Sequence, residues 1–167
     1  MIRLAALAIS LALATAGQAA SLLPQPTGPV VLTVRGKIGN TNDGGQAIFD
    51  SEMLLNLPQT TLKTSTPWTV GVQTFSGPRL FDLLEAVEAD GSQVNAEALN
   101  DFQSNLPLGD WRSKDAILAI SQNGVPLSAR DKGPLWVIMP YDESPEYLSE
   151  EIYARSIWNL YRIDVLE

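Results

Sequence analysis

Hydrophobic and polar positions alternate in "VVLTVRGKI". Val30, Leu32 and Val34 fall on one side, and Val31, Thr33 and Arg35 on the other. A period of two predicts a strand with one solvated face. The turn-forming "GNTNDGG" follows, and then the period changes. In "FDSEMLLNLP", Met53, Leu54 and Leu57 share one helical face, Asp50 stands at the N-cap, and Pro58 ends the helix. "TTLKTST" and "VGVQTF" are rich in β-branched residues and predict strands around Pro67-Trp68. The clearest helix is "SGPRLFDLLEAVEADG", where Leu80, Leu83, Leu84 and Val87 make one stripe. Pro78 is expected in its first turn and Gly91 at its exit.

The second half reads as strands and turns. "AILAISQNGVPLS" predicts a hairpin whose Asn123-Gly124 pair takes the positive φ angles of a tight turn. "PLWVIMP" is a short apolar run between prolines and predicts a buried strand with Trp136 in the core. "SIWNLYRIDV" slips phase: Trp158 and Leu160 are even, whereas Tyr161, Ile163 and Val165 are odd. A β-bulge between the two sets brings them to one face. The order of strand, helix, strands, helix, strands predicts an α+β fold with a mostly β framework and short helices. One domain is expected over residues 30–167. A Pro-rich lead over 20–29 precedes it, flexible or extended from Ser21 to Gly28.

The first residues, "MIRLAALAISLALATAGQAA", change the picture. One early positive charge, an apolar stretch and small residues before Ala19 have the form of a secretory signal peptide cleaved near Ala19. The expected location is therefore periplasmic, without membrane insertion of the mature chain. The net charge of -8 and the lack of a basic run argue against nucleic acid as a partner. The chain contains no cysteine and no histidine. That excludes disulfides, and every metal site or nucleophile built on those side chains.

The motifs now fall into a known order. "TFSGPRLFDLLEAV", "DAILAISQNGVPLSARDKGPLWVIMP" and "ARSIWNLYRIDV" succeed one another with the spacing of the molybdopterin-binding domain of the sulfite oxidase superfamily, which the chain resembles from about Val30 to Val165. In that superfamily a cysteine thiolate ligates molybdenum, in the region that reads "LKTSTPWTVGVQTF" here. Thiolate is the soft ligand such a metal prefers, and the hydroxyls of Thr64, Ser65 and Thr66 are not its equivalent. "RDKGPLWVIMPYD" and "RSIWNLYRIDV" further resemble a group of small exported proteins with this fold and no ligating cysteine, some of them periplasmic pterin-binding regulators.

This resemblance implies a non-catalytic module with no tightly bound cofactor. Its ligand is a reduced pterin, and its partner is the periplasmic domain of a membrane receptor that controls cyclic-di-GMP turnover or a similar response. Two alternatives stay open. One is a molybdopterin-dependent oxidoreductase subunit with a non-cysteine metal attachment; the other is a carrier or scavenger of pterins.

A pterin needs aromatic planes and a few aimed polar groups. The candidates are Thr66, Trp68, Tyr141, Asp142, Arg155, Ser156 and Trp158, with Arg130 and Asp131 as secondary candidates; none is assigned a catalytic or metal-ligating role. The closing Arg155-Ser156 and Trp158 match the superfamily motif that contacts the pterin cofactor. The charged turn at Arg130 and the Tyr141-Asp142 rim flank one strand. A seven-residue strand spans roughly 20 Å, so both are not expected to line one small pocket, and the Tyr141 end is favoured. "YDESPEYLSEE" carries five carboxylates but lacks the regular alternation of a calcium loop. It selects no pair for acid–base work on a sugar either, and reads as a long, solvated loop from Asp142 to Ala154 that a ligand could order.

Overall fold

The computed structural model describes residues 23–167, so the expected signal peptide lies outside the described residues. The molecule is assembled around β11 (Trp158–Leu166), whose two halves have different neighbours. Its first residues pair antiparallel with β10 (Leu135–Ile138). Its last residues lie between β1 (Val30–Gly36), in parallel, and β5 (Gln93–Ala98), antiparallel. Adding β2 (Ala47–Asp50) beside β1, β6 (Gln103–Pro107) beside β5 and β7 (Ile117–Ala119) beside β10 completes a seven-stranded sheet. A second sheet runs β3 (Gln59–Thr64), β4 (Gln73–Pro78), β8 (Ser121–Gln122) and β9 (Val125–Pro126). With three short helices, α1 (Ser51–Leu55), α2 (Leu80–Ala86) and α3 (Glu150–Arg155), this is the expected α+β fold on a mostly β framework.

The phase slip in β11 is a bulge. Register shifts between Leu160 and Arg162 against β5, and Asn159 adopts φ 53°. The bulge puts Leu160, Ile163 and Val165 in the core. Tyr161 does not join them: it faces outward and donates its hydroxyl to Glu97 at 2.8 Å. Trp136 is fully buried in β10, as the apolar run predicts.

The predicted 116–128 hairpin is split between the sheets. β7 belongs to the large sheet and β8–β9 to the small one, with Asn123 at φ 51° and Gly124 at φ 77° turning the latter. The crossing is tight at Gly77, where a Cβ would collide with the carbonyl of Leu118. Strands β2, β5 and β6 are not foreseen from the residue pattern. β5 and β6 read "QVNAEA" and "QSNLP", too polar to signal a strand by themselves.

Local details differ from the sequence expectation in three places. Pro78 is the last residue of β4, paired with Gln59, so α2 begins after Arg79. The chain leaves α2 through Glu88 at φ 51°, whereas Gly91 is needed where the backbone meets the carbonyl of Leu166. The Pro-rich lead is pinned to the domain. Asp50 caps α1 by accepting from the Met53 amide at 2.9 Å, and accepts from the amides of Thr27 and Gly28 at 2.7 and 2.8 Å. Asn42 treats the outer edge of β2 as a partner strand would: it accepts from Ile48 N at 2.8 Å and donates to Ile48 O at 3.0 Å.

Candidate functional site

The loop between β3 and β4 carries the first half of the site. Thr66 Oγ1 accepts from the Trp68 amide at 3.1 Å and shares a 2.8 Å hydrogen bond with Thr69 Oγ1. This local turn, reinforced by Pro67, aims the Trp68 indole inward. There it meets Trp136, Tyr141, Tyr153 and Trp158 edge-on, with ring centroids 5.9, 6.4, 5.8 and 5.6 Å away. Edge-to-face contacts of this kind each add about 0.5–1.5 kcal/mol beyond burial.

The second half comes from the chain after β10. Tyr141 is buried and donates its hydroxyl to Ser156 Oγ at 2.5 Å, and Ser156 Oγ donates onward to Ile152 O at 2.9 Å. Burial pushes the Tyr141 phenol far above its ordinary value. Trp136 Nε1 donates to Ser156 O at 3.1 Å. Asp142, at the rim, binds back to the β3–β4 loop through Ser65.

The segment expected as a long loop from Asp142 to Ala154 is folded. It contains a single 3-10 turn at Pro145–Tyr147 and most of α3, and it buries Tyr147 and Ile152. No three carboxylates converge into a metal cage among the described residues.

Arg155 closes α3 with its side chain only 6% exposed. Its guanidinium binds Asp110 Oδ2 at 2.7 Å and also pairs with Glu151. Asp110 is further held by Arg112, and these two arginines, Arg112 first, keep its carboxyl well below the usual range. Arg155 therefore stands among protein partners, outside the aromatic cluster that gathers Trp68, Tyr141 and Trp158. Arg130 and Asp131 are exposed on the turn before β10.

That turn nevertheless reaches the cluster. β10 has four residues, and Lys132 and Tyr141 lie three positions beyond its two ends. Lys132 lays its ammonium 5.3 Å from the Trp136 ring centroid and 6.0 Å from that of Trp158. The two ends of the strand thus flank one aromatic cluster, with Lys132 against Trp136 and Trp158 and Tyr141 against Trp68 and Tyr153.

Beside Trp158 lies a cavity of about 150 Å³, lined by Ala98, Asn100, Phe102, Ser156, Ile157 and Trp158. Two of the sequence candidates, Ser156 and Trp158, line it. Asn100 and Phe102 are additions from the tip of the β5–β6 hairpin; Phe102 is half exposed there, and Asn100 Oδ1 accepts from its amide at 3.3 Å. An exposed aromatic next to Asn-Asp is the one trace they leave in the sequence.

A thiolate-held molybdenum does not fit these residues. The chain has no cysteine, and the hydroxyls of the corresponding segment are already engaged. Thr64 Oγ1 donates to Ser65 O at 3.1 Å and accepts from the Asp142 amide at 3.2 Å; Ser65 Oγ binds Asp142, and Thr66 Oγ1 binds Thr69. Trp68 fills the centre. The cavity beside Trp158 instead has two aromatic side chains and a carboxamide in its lining.

Comparison with curated proteins finds none that matches. Among solved structures, the crystal structure of the sulfane dehydrogenase SoxCD from Paracoccus pantotrophus superposes with a TM-score of 0.61 at 18% identity, covering 81% of this chain. The match spans 37% of that longer chain, so it establishes a shared fold and nothing about the rest of that protein. The sequence model of the oxidoreductase molybdopterin binding domain matches residues 51–143, from α1 through the β3–β4 loop, Lys132 and Tyr141 to the rim beyond Asp142. That stretch is more than half of the chain, and the chain accordingly belongs to the oxidoreductase molybdopterin binding domain family.

Proposed function

We propose that this member of the family is a pterin-binding module that works without a molybdenum centre. The observation that carries the reading is a contrast. The segment corresponding to the family's metal ligand is closed by Trp68 with its hydroxyls spent on the protein, while an aromatic cavity beside Trp158 is left for a flat ring. A reduced pterin stacks against Trp158 and Phe102, and the Asn100 carboxamide supplies a donor and an acceptor to its polar edge.

The one hydroxyl of the lining, Ser156 Oγ, is engaged by Tyr141 and Ile152 O, and the module acts by binding. Its setting is the periplasm, after removal of the signal peptide, and its partner is the periplasmic domain of a membrane receptor. Among the described residues no helix is long and apolar enough to cross a membrane. Glu143, Glu146 and Glu150 are exposed on the folded segment after β10 and offer that receptor an acidic face, which favours a basic partner surface and association that weakens with salt.

Family membership itself favours a second reading, in which molybdopterin is held as a cofactor. One experiment separates the two. Protein purified from its native periplasm is analysed for molybdenum by elemental analysis and for pterin by native mass spectrometry. Bound pterin with no stoichiometric metal supports the proposal; about one molybdenum per chain overturns it. Crosslinking in the periplasm then separates signalling from carriage, since a carrier or scavenger captures no receptor with or without pterin.

A further inference from the structure

The small sheet has an open margin at β3, which pairs with β4 on one side and, among the described residues, with no strand on the other. The direction of its backbone groups follows from β4. Ile120 N donates to Ser76 O at 2.9 Å and Asn123 N to Thr74 O at 2.7 Å, so Ser76 and Thr74 face β8. Phe75 and Gly77 therefore face β3, where they oppose Leu62 and Thr60. The amides and carbonyls of Gln59, Thr61 and Lys63 point the other way, and the three residues are exposed. Among the described residues no backbone partner meets them there.

The row has defined ends. Before it, the position in phase is Leu57, whose amide donates to Leu54 O and whose carbonyl accepts from the Gln59 side chain. After it, the position in phase is Ser65, whose amide donates to the Asp142 carboxylate at 2.6 Å. Thr61 is the middle of what remains, and such a row is its own complement. In an antiparallel pair of identical strands turned about Thr61, Thr61 faces Thr61 and Gln59 faces Lys63 on both sides. Each opposed pair exchanges two backbone hydrogen bonds. Each ammonium then lies opposite a carboxamide, and the Thr–Thr contact is a favourable cross-strand pair. Shifted registers are poorer. Centring on Lys63 opposes the two ammoniums. Centring on Leu62 sets Gln59 against Ser65, whose amide is taken. β9, the opposite margin of the sheet, has two residues, one of them proline, and offers no such row.

We propose that β3 is a self-association edge: a second copy of this chain docks antiparallel along residues 59–63 and joins the two small sheets into one. The interface is isologous, so it closes at two copies. β3 runs on into Ser65 and the loop that presents Trp68, so the dimer sets the two loops at opposite ends of the joined strands. Ser65 lies four positions beyond Thr61. At ~3.3 Å per residue the loops stand roughly 26 Å apart.

Sedimentation equilibrium of the full mature chain tests this, from about 1 µM to about 1 mM and at about 0.3 M salt, where repulsion between two acidic copies is screened. The mass of the parent should rise with concentration toward twice that of one chain. Thr61→Pro removes the central outward N–H and leaves the β4 ladder intact, a change that edge strands tolerate. It should weaken association at least about tenfold with an unchanged far-ultraviolet spectrum. Thr61→Glu and Thr61→Lys each set like charges face to face and should each stay monomeric, whereas an equimolar mixture of the two should restore the dimer mass. That pair of variants keeps every β3–β4 backbone bond and decides the question if the proline variant misfolds. A parent that is monomeric throughout overturns the inference and leaves the edge to an extended segment of another protein. Dimers that persist in Thr61→Glu alone and in Thr61→Lys alone overturn it as well, and place the contact elsewhere.

Discussion

Asp142 holds Ser65 across 77 positions of sequence: its carboxylate accepts from the Ser65 amide at 2.6 Å and from the Ser65 hydroxyl at 2.5 Å. The contact fastens the end of β3 to the rim after β10, and so sets the loop that presents Trp68. Those two hydrogen bonds, the hydroxyl first, lower the Asp142 pKa below its ordinary value. The unfolded chain therefore takes up the proton more readily. The stabilisation is complete above the ordinary aspartate range near pH ~3.9 and is lost as pH falls through the lower folded value. Asp142→Ala should lower Tm by roughly 2–4 °C at pH 7. The gap to the parent should close in thermal melts taken near pH 2.

Arg155 is a structural group in this geometry, and its removal should be costly. Arg155→Ala leaves the Asp110 carboxylate, itself 14% exposed, with Arg112 alone. Breaking a buried pair from one side is destabilising by about 3 kcal/mol. Chemical denaturation should report a loss of that order. A melt indistinguishable from the parent would return Arg155 to the list of ligand contacts.

Two tyrosines set the alkaline limit of the fold. Burial raises the phenols of Tyr141 and Tyr147 well above their ordinary value, and for Tyr147 the neighbouring Asp115 adds to the effect. Their contribution is full below the unfolded value near pH ~10 and is lost as pH rises through the folded values. Stability should thus fall above pH ~10. Tyr141→Phe should cost about 1 kcal/mol at neutral pH, because Ser156 keeps its bond to Ile152 O when the phenol is gone.

Phe102 offers the cleanest probe of the cavity. Its ring is half exposed at a hairpin tip, so Phe102→Ala should change stability by less than about 0.5 kcal/mol. The affinity for a pterin should fall about tenfold with the loss of one stacking surface. Unchanged affinity would move the ligand away from the space between Phe102 and Trp158.

What the sequence discloses here depends on range. The bulge in β11, the Asn123-Gly124 turn, the Asp50 cap and the burial of Trp136 are all legible, because each is encoded by residues a few positions apart. The position of Arg155 is not, since its partner Asp110 is 45 residues away and charge alone does not tell a ligand contact from an interior ion pair. β5 and β6 escape notice because polar residues alternate along them, and their pairing with β11 supplies the order that their composition does not. The cavity is hidden for the same reason: Phe102 and Trp158 meet only once β5, β6 and β11 are aligned. Nor does any local pattern disclose that Lys132 and Tyr141, on either side of β10, touch different rings of one cluster, Trp136 and Trp158 for the first and Trp68 and Tyr153 for the second.

Asn42 bears on how this molecule behaves in a crowd. By satisfying both the amide and the carbonyl of Ile48, it occupies the groups through which another chain would extend the large sheet beyond β2. Asn42 Nδ2 also reaches Pro24 O at 2.7 Å, so the Pro-rich lead lies over the same margin. Edge strands left open recruit neighbours into fibrils. Here a single carboxamide and a segment that cannot itself offer a full row of N–H donors blunt that margin, which disfavours the addition of further copies of the chain along this edge.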